Sequence, residues 1–141
     1  MKIVGTGSCL PQRVVSNDDL AAIMDTSDEW ISSRTGIRNR HIATTETTTS
    51  LACDAVKSAL QDVGIDGSEI DLIIAASVST DKIVPSLACQ IQAEIGAGSA
   101  VAFDINAACS GFLFGLATAD AYFKTCLLYT SPSPRDVEES R

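Results

Sequence analysis

Val101-Ala102-Phe103-Asp104-Ile105-Asn106-Ala107-Ala108-Cys109-Ser110-Gly111-Phe112 is the stretch whose reading decides the fold. Val101 to Ile105 has the short apolar pattern of a buried strand, and Phe112 to Lys124 reads as an apolar helix. Between them lie small residues around one cysteine. A strand that passes into a helix in this way is the repeating unit of an α/β layer fold. Upstream, Ile70 to Ser77 is rich in Ile and Ala and apolar on both alternating faces, as in a strand covered by helices on each side. Ser50 to Val63 carries Leu51, Ala52, Ala55, Val56, Ala59, Leu60 and Val63 at helical spacing and closes at Gly64. A further helix is predicted from near Pro85 to Gly96. The alternation points to a mainly parallel, or mixed, sheet with right-handed crossovers.

The N-terminal part is more polar. Lys2 to Ser8 predicts a buried strand that enters a tight turn at Gly5 and Gly7. The Gly5-x-Gly7 spacing lacks the third glycine and the following helix of a dinucleotide fingerprint, so a nucleotide loop is disfavoured. Ser16-Asn17-Asp18-Asp19-Leu20 reads as a helix N-terminus with acidic residues in its first turn, extending toward Met24. Thr26-x-x-Glu29 reads as a capping box before Trp30 and Ile31, with the helix ending at about Thr35 and Gly36 as its left-handed cap. Arg34, Arg38, Arg40 and His41 form the one basic cluster, and either an anionic ligand or a solvated loop accounts for it.

The 141 residues are 45% hydrophobic and 20% charged, which is ordinary globular composition. A net charge of -8 leaves no positive excess for a nucleic-acid backbone or an anionic membrane. Neither is expected as a partner, and no signal segment or membrane-spanning run is read. Cysteines stand at 9, 53, 89, 109 and 126 with no Cys-x-x-Cys pair and a single histidine. Reduced thiols in the cytoplasm fit this pattern better than disulfides or a metal site. Cys53 and Cys89 lie in apolar helical stripes and read as core residues. Cys9, on an early loop, is left undecided, with core or surface packing favoured. Cys109 follows a strand and precedes a helix, where unpaired N–H groups and the helix dipole favour a thiolate. Spacing alone leaves two readings level: a nucleophile, or a small buried core residue.

Several stretches bring a resemblance to that choice. They are Gly5-Thr6-Gly7-Ser8 with Leu10-Pro11, Asp25 through Ile31, Arg34-Thr35-Gly36-Ile37-Arg38 with Arg40-His41-Ile42, Pro85-Ser86 with Ala88 through Gln92, and Phe103-Asp104 with Ala107 through Phe112. In order and spacing, residues 1–125 resemble the N-terminal portion of the β-ketoacyl-acyl-carrier-protein synthase III family, condensing enzymes of the thiolase superfamily. The resemblance implies a thiolase-like layered fold, αβαβα when intact, of which residues 1–125 form an incomplete first half. It makes Cys109 the acyl-accepting nucleophile. Trp30, Arg34 and Thr26 become coenzyme A contacts, and Val84 an acyl-pocket residue at a dimer interface. It implies acyl-coenzyme A and malonyl-acyl-carrier protein as substrates, no separate cofactor, a homodimer in the intact enzyme, and initiation of fatty-acid synthesis.

The family's catalytic His and Asn belong to a later part of a longer chain, so the present chain is expected to be inactive in condensation and unstable alone. His41 matches the arginine-rich stretch and takes no catalytic role. Polyketide- and quinolone-type condensing enzymes, or an inactive fragment that only binds or self-associates, are the alternatives. Residues 126–141 differ in kind. Cys126 to Asp136 resembles a translated sequencing adapter, and this tail is expected to be non-native and disordered.

Overall fold

The computed structural model describes residues 2–125, so the expected tail at 126–141, Cys126 included, lies outside the described residues. Among the described residues four strands and five helices follow one another as β1 (Arg13–Ser16), α1 (Asn17–Ala21), α2 (Asp28–Thr35), β2 (Asn39–Ile42), α3 (Thr48–Val63), β3 (Leu72–Ala76), α4 (Leu87–Ile95), β4 (Val101–Ile105) and α5 (Gly111–Lys124). Short 3-10 turns at Gly67–Glu69 and Ala108–Ser110 precede β3 and α5.

β3 and β4 form a parallel pair in the register Leu72 to Val101 through Ala76 to Ile105. The pair is sandwiched between helices, and the alternation of its side chains shows why. Ile73, Ala75 and Ala102 turn toward α3 and α4, where they pack with Cys53, Leu87, Ala88 and Ile91. On the other face Phe103 meets Tyr122 of α5 at 6.0 Å between ring centroids. Burial of Leu87 and Ile91 is worth about 1.5–3 kcal/mol each, so this small cluster is the main apolar anchor of the layers. Both strands are apolar on two faces because helices lie against each, although a groove beside α5 stays open on the outer face of β3.

Helix ends follow local chemistry. Ser16 caps α1 in a reciprocal box with Asp19, and Thr47 caps α3 in another with Ser50. α3 therefore begins at Thr48, two residues before its apolar stripe does. Gly36, Gly64 and Gly96 all close helices in the left-handed conformation. The cap of α2 is Ser27, whose hydroxyl accepts the Trp30 N–H at 3.1 Å. The capping box read at Thr26 and Glu29 thus lies one residue too early. α1 ends at Ala21, well short of Met24.

Two other expectations are corrected. Lys2 to Ser8 does not form a strand, because no neighbouring backbone among the described residues pairs with it. The segment instead lies flat on α3. A Cβ on Gly7 would stand 2.1 Å from the Ala55 carbonyl oxygen and 2.4 Å from the Ala59 nitrogen, so only glycine permits this approach. The second concerns the basic cluster, which is not one solvated loop: Arg34 lies in α2, Arg38 in the link after it, and Arg40 and His41 in β2. Asn39–Ile42 pairs antiparallel with Arg13–Ser16, with Arg40 opposite Val15.

Candidate active site

Cys109 is exposed, in the turn that links the C-terminal end of β4 to α5. Ala108 before it adopts a φ of 44°, a left-handed conformation that costs a residue with a Cβ about 1–2 kcal/mol. The turn is held by the Ser110 N–H, which donates to the Ala107 carbonyl at 3.0 Å. Gly111, the first residue of α5, is buried, and a Cβ there would come within 2.9 Å of the Ala76 Cβ. α5 therefore starts hard against the end of β3, and Cys109 is carried at the rim where both strands finish. Ligands of parallel sheets bind at this carboxyl end.

The other cysteines are placed differently. Cys53 is buried in the α3–α4 cluster, and burial pushes its thiol above the usual range. Cys89 is half-buried in α4, with its sulfur 3.9 Å from the Ala102 carbonyl oxygen. Cys9 is half-buried near the N-terminus. Among the described cysteines only Cys109 is exposed.

Trp30 and Arg34 come together on α2. The guanidinium carbon lies 4.5 Å from the indole centroid, a cation–π distance, and Arg34 Nη1 donates to the Trp30 carbonyl. Trp30 keeps 54% of its surface exposed, so a broad aromatic face is open to solvent. Thr26 is half-buried, one residue before the cap of this helix. Val84 is 83% exposed on the loop between β3 and α4. Apart from Trp30 with Arg34, no hydrogen bond or cation–π contact joins these residues to one another or to Cys109. The two largely apolar grooves, one of about 310 Å³ beside α5 and one of about 360 Å³ beside α3, include none of them.

The four-residue basic cluster is dispersed by the fold. Arg40 turns inward, where it donates to the Ser16 carbonyl at 3.1 Å and to the Asn17 side-chain oxygen. Asn17 is 1% exposed, and its amide donates to Asp28 at 2.7 Å and to the Ile37 carbonyl at 2.8 Å. This buried junction ties β1, α1, α2 and β2 together and so orients the Trp30 face. His41 Nδ1 lies 2.6 Å from the Pro11 carbonyl oxygen, a structural contact. Arg34 is left as the exposed cation beside an aromatic ring.

Sequence reading missed the roles of Asn17, Arg40 and Asp104. Asp104 accepts the Leu87 and Ala88 N–H groups, at 2.8 Å and 2.7 Å, from within β4. A carboxylate in an otherwise apolar strand was the available signal, because burial of such a group demands a partner. No group of three His, Cys, Asp or Glu side chains among the described residues is placed to hold a metal ion. No helix among them is long and apolar enough to cross a membrane.

No family model matches the chain. Individual proteins do. A β-ketoacyl-acyl-carrier-protein synthase III of Clostridium acetobutylicum is 51% identical over 125 residues, covering 89% of this chain and 38% of that relative. The structure of 3-oxoacyl-acyl-carrier-protein synthase III from Aquifex aeolicus superposes with a TM-score of 0.84 at 50% identity, over 88% of this chain and 40% of the other. The priming β-ketosynthase of the R1128 polyketide pathway gives 0.81 at 38% identity, over 86% of this chain and 36% of the other. The layers described above are those of this thiolase-like fold. The chain spans about two-fifths of the length of the relatives it matches.

Proposed function

We propose, starting from the chain's match to the β-ketoacyl-acyl-carrier-protein synthase III family over most of its described length, that it supplies the acyl-accepting part of such an enzyme. The observation that carries this reading is the exposed Cys109 on its left-handed elbow at the carboxyl end of β4. In the first step the Cys109 sulfur attacks the thioester carbonyl of an acyl-coenzyme A, with acetyl-coenzyme A as the primer. A carbon–sulfur bond forms to Cys109, the one to coenzyme A breaks, and coenzyme A leaves as its thiol with the proton that Cys109 gave up. The Cys109 backbone N–H is one donor to the developing oxyanion. In the second step malonyl-acyl-carrier protein loses carbon dioxide, and its carbanion attacks the acyl-cysteine. Cys109 is released as thiolate and 3-ketoacyl-acyl-carrier protein is formed. Two half-reactions on one nucleophile imply ping-pong kinetics.

In this reading the exposed indole of Trp30 stacks on the adenine of coenzyme A. Arg34, already against the ring, meets the phosphates at the nucleotide end, and Thr26 supplies a hydrogen bond. Val84 lines the acyl pocket of a second subunit in a homodimer, and the acyl-carrier protein is the transient partner. The thiols of Cys9, Cys53, Cys89 and Cys109 are free, in keeping with a cytoplasmic enzyme of fatty-acid synthesis. A second reading, priming of polyketide synthesis, is favoured by the R1128 match and uses the same elbow with another donor.

Incubation with radiolabelled acetyl-coenzyme A tests the first step. Label is expected on the wild type and absent from Cys109→Ser. No label on either protein would leave only an inert, binding or self-associating chain.

A further inference from the structure

The loop between β3 and α4 is long and polar at both ends, yet its middle carries two of the most exposed apolar side chains described, Ile83 at 92% and Val84 at 83%. Such a tip would sway unless its ends were fixed. They are fixed by two carboxylates. At one end Asp81 accepts the N–H groups of Thr48 and Thr49, at 3.1 Å and 2.7 Å, over the first turn of α3. The Thr48 hydroxyl returns a bond to the Ser79 carbonyl at 3.0 Å. At the other end Asp104 accepts the N–H groups of Leu87 and Ala88 in the first turn of α4, while Ser86 accepts that of Cys89. Helix N-termini hold N–H groups without intrahelical partners, and bonds from such groups to a carboxylate are the stronger, charge-assisted kind. The start of the loop is also joined to β4, because the Ser77 N–H donates to the Ile105 carbonyl at 3.3 Å. Ile105 is four residues before Cys109.

We propose that Asp81 and Asp104 are positioning residues that strap the 77–86 loop across the N-termini of α3 and α4, fixing where Ile83 and Val84 are presented to the acyl pocket of a second subunit. The strap stands on its own geometry. Its consequence, that a fixed apolar tip selects donors by acyl length, rests on the acyl-transfer reading above.

The full 141-residue chain is the material for the test. Lys82 lies inside the strapped loop, whereas Lys57 lies in the middle of α3, so the ratio of tryptic cleavage after Lys82 to that after Lys57 separates loop release from global unfolding. Asp81→Ala should raise this ratio about tenfold, and Asp81→Asn, which keeps one acceptor oxygen, should raise it less. Asp104→Asn should raise it too. In parallel, acyl-coenzyme A donors of increasing chain length are offered, and the mass added at Cys109 is followed. Asp81→Ala should flatten the preference among donors that the wild type displays. An unchanged cleavage ratio in both Asp81→Ala and Asp104→Asn would overturn the strap, whatever the chemistry. A raised ratio with an unaltered donor preference would overturn its role in selection. Absence of label on the wild type would sink the acyl-transfer reading and selection with it, while cleavage still decides the strap.

Discussion

Ala108 is the residue on which the geometry of the elbow turns, since its positive φ is what swings the chain from β4 into α5 while leaving Cys109 on the outside. No side-chain contact is needed to expose the thiol; the backbone does it. A second single residue acts through charge. Glu46 sits in the link between β2 and α3 and accepts N–H groups from Thr44 at 2.9 Å, Gln12 at 3.0 Å and Thr45 at 3.1 Å. These bonds, that from Thr44 foremost and then that from Gln12, lower its pKa from 4.5 to about 2. A depressed carboxyl binds its proton more weakly folded than unfolded, so its stabilising contribution is complete above the unfolded value. It is lost as pH falls from about 4.5 toward about 2. Glu46→Gln should therefore lower the urea midpoint by a constant amount above pH ~5, and the gap from wild type should close on further acidification. Midpoints measured from neutral pH down to pH ~2.5 check this, and a gap that stays constant to the lowest pH would contradict it.

At the scale of elements, the Lys2–Ser8 segment depends on α3 for its place. Its glycines let the backbone settle onto Ala55, Ala59 and Val63, and the Thr6 N–H donates to Asp62 at 3.1 Å. Gly7→Ala meets backbone atoms that cannot give way, so the segment must lift. The expected loss is about 1–3 kcal/mol, as for overpacking elsewhere. Hydrogen exchange at Thr6 should quicken in the variant while exchange in the middle of α4 keeps its wild-type order. The same elements show what a sequence can disclose. α3 and α4 were legible from an apolar period closed by a glycine, β3 and β4 from a short run apolar on both faces, and α5 from the long apolar segment that follows the small residues around Cys109. The β1–β2 pair was not, because Arg13–Ser16 and Asn39–Ile42 are short, polar and joined across two helices. Local reading saw Arg40 as one of four cations, whereas its role is set by Ser16 and Asn17, distant in sequence. The strand expected at Lys2–Ser8 failed for the converse reason: an apolar run supplies strand propensity, but a strand needs a paired neighbour. At the candidate site, the Cys109 turn could be read from strand, small residues and helix, while the caps by Ser27 and Asp104 required geometry.

On the scale of the whole molecule, the described core is slight for the surface it must hold. Its largest fully buried side chain is Asn17, while Phe112, Leu113, Phe114 and Phe123 of α5 all keep more than half of their surface exposed. One helix layer and one groove are thus open on the face of β3 away from α4, in a chain that spans about two-fifths of its relatives. Chemistry should divide along the same line. In the proposed reading acylation uses the Cys109 thiol, the Cys109 backbone N–H and the Trp30–Arg34 face, all of which lie within the described residues. Decarboxylation of a malonyl thioester calls for groups that polarise its carbonyl, which the family resemblance assigns to a His and an Asn absent from the stretches matched. His41, the only histidine of the chain, is engaged with Pro11 on β2. The chain is therefore expected to accept label from acetyl-coenzyme A yet to release no carbon dioxide from malonyl-acyl-carrier protein beyond the Cys109→Ser background. His41→Ala should leave the extent of labelling at Cys109 unchanged. Trapping of carbon dioxide from carboxyl-labelled malonyl-acyl-carrier protein, run beside the acetyl-transfer assay, separates the two steps. Release above that background by the wild-type chain would mean that its own residues polarise the malonyl carbonyl, and the division of labour would have to be redrawn around them.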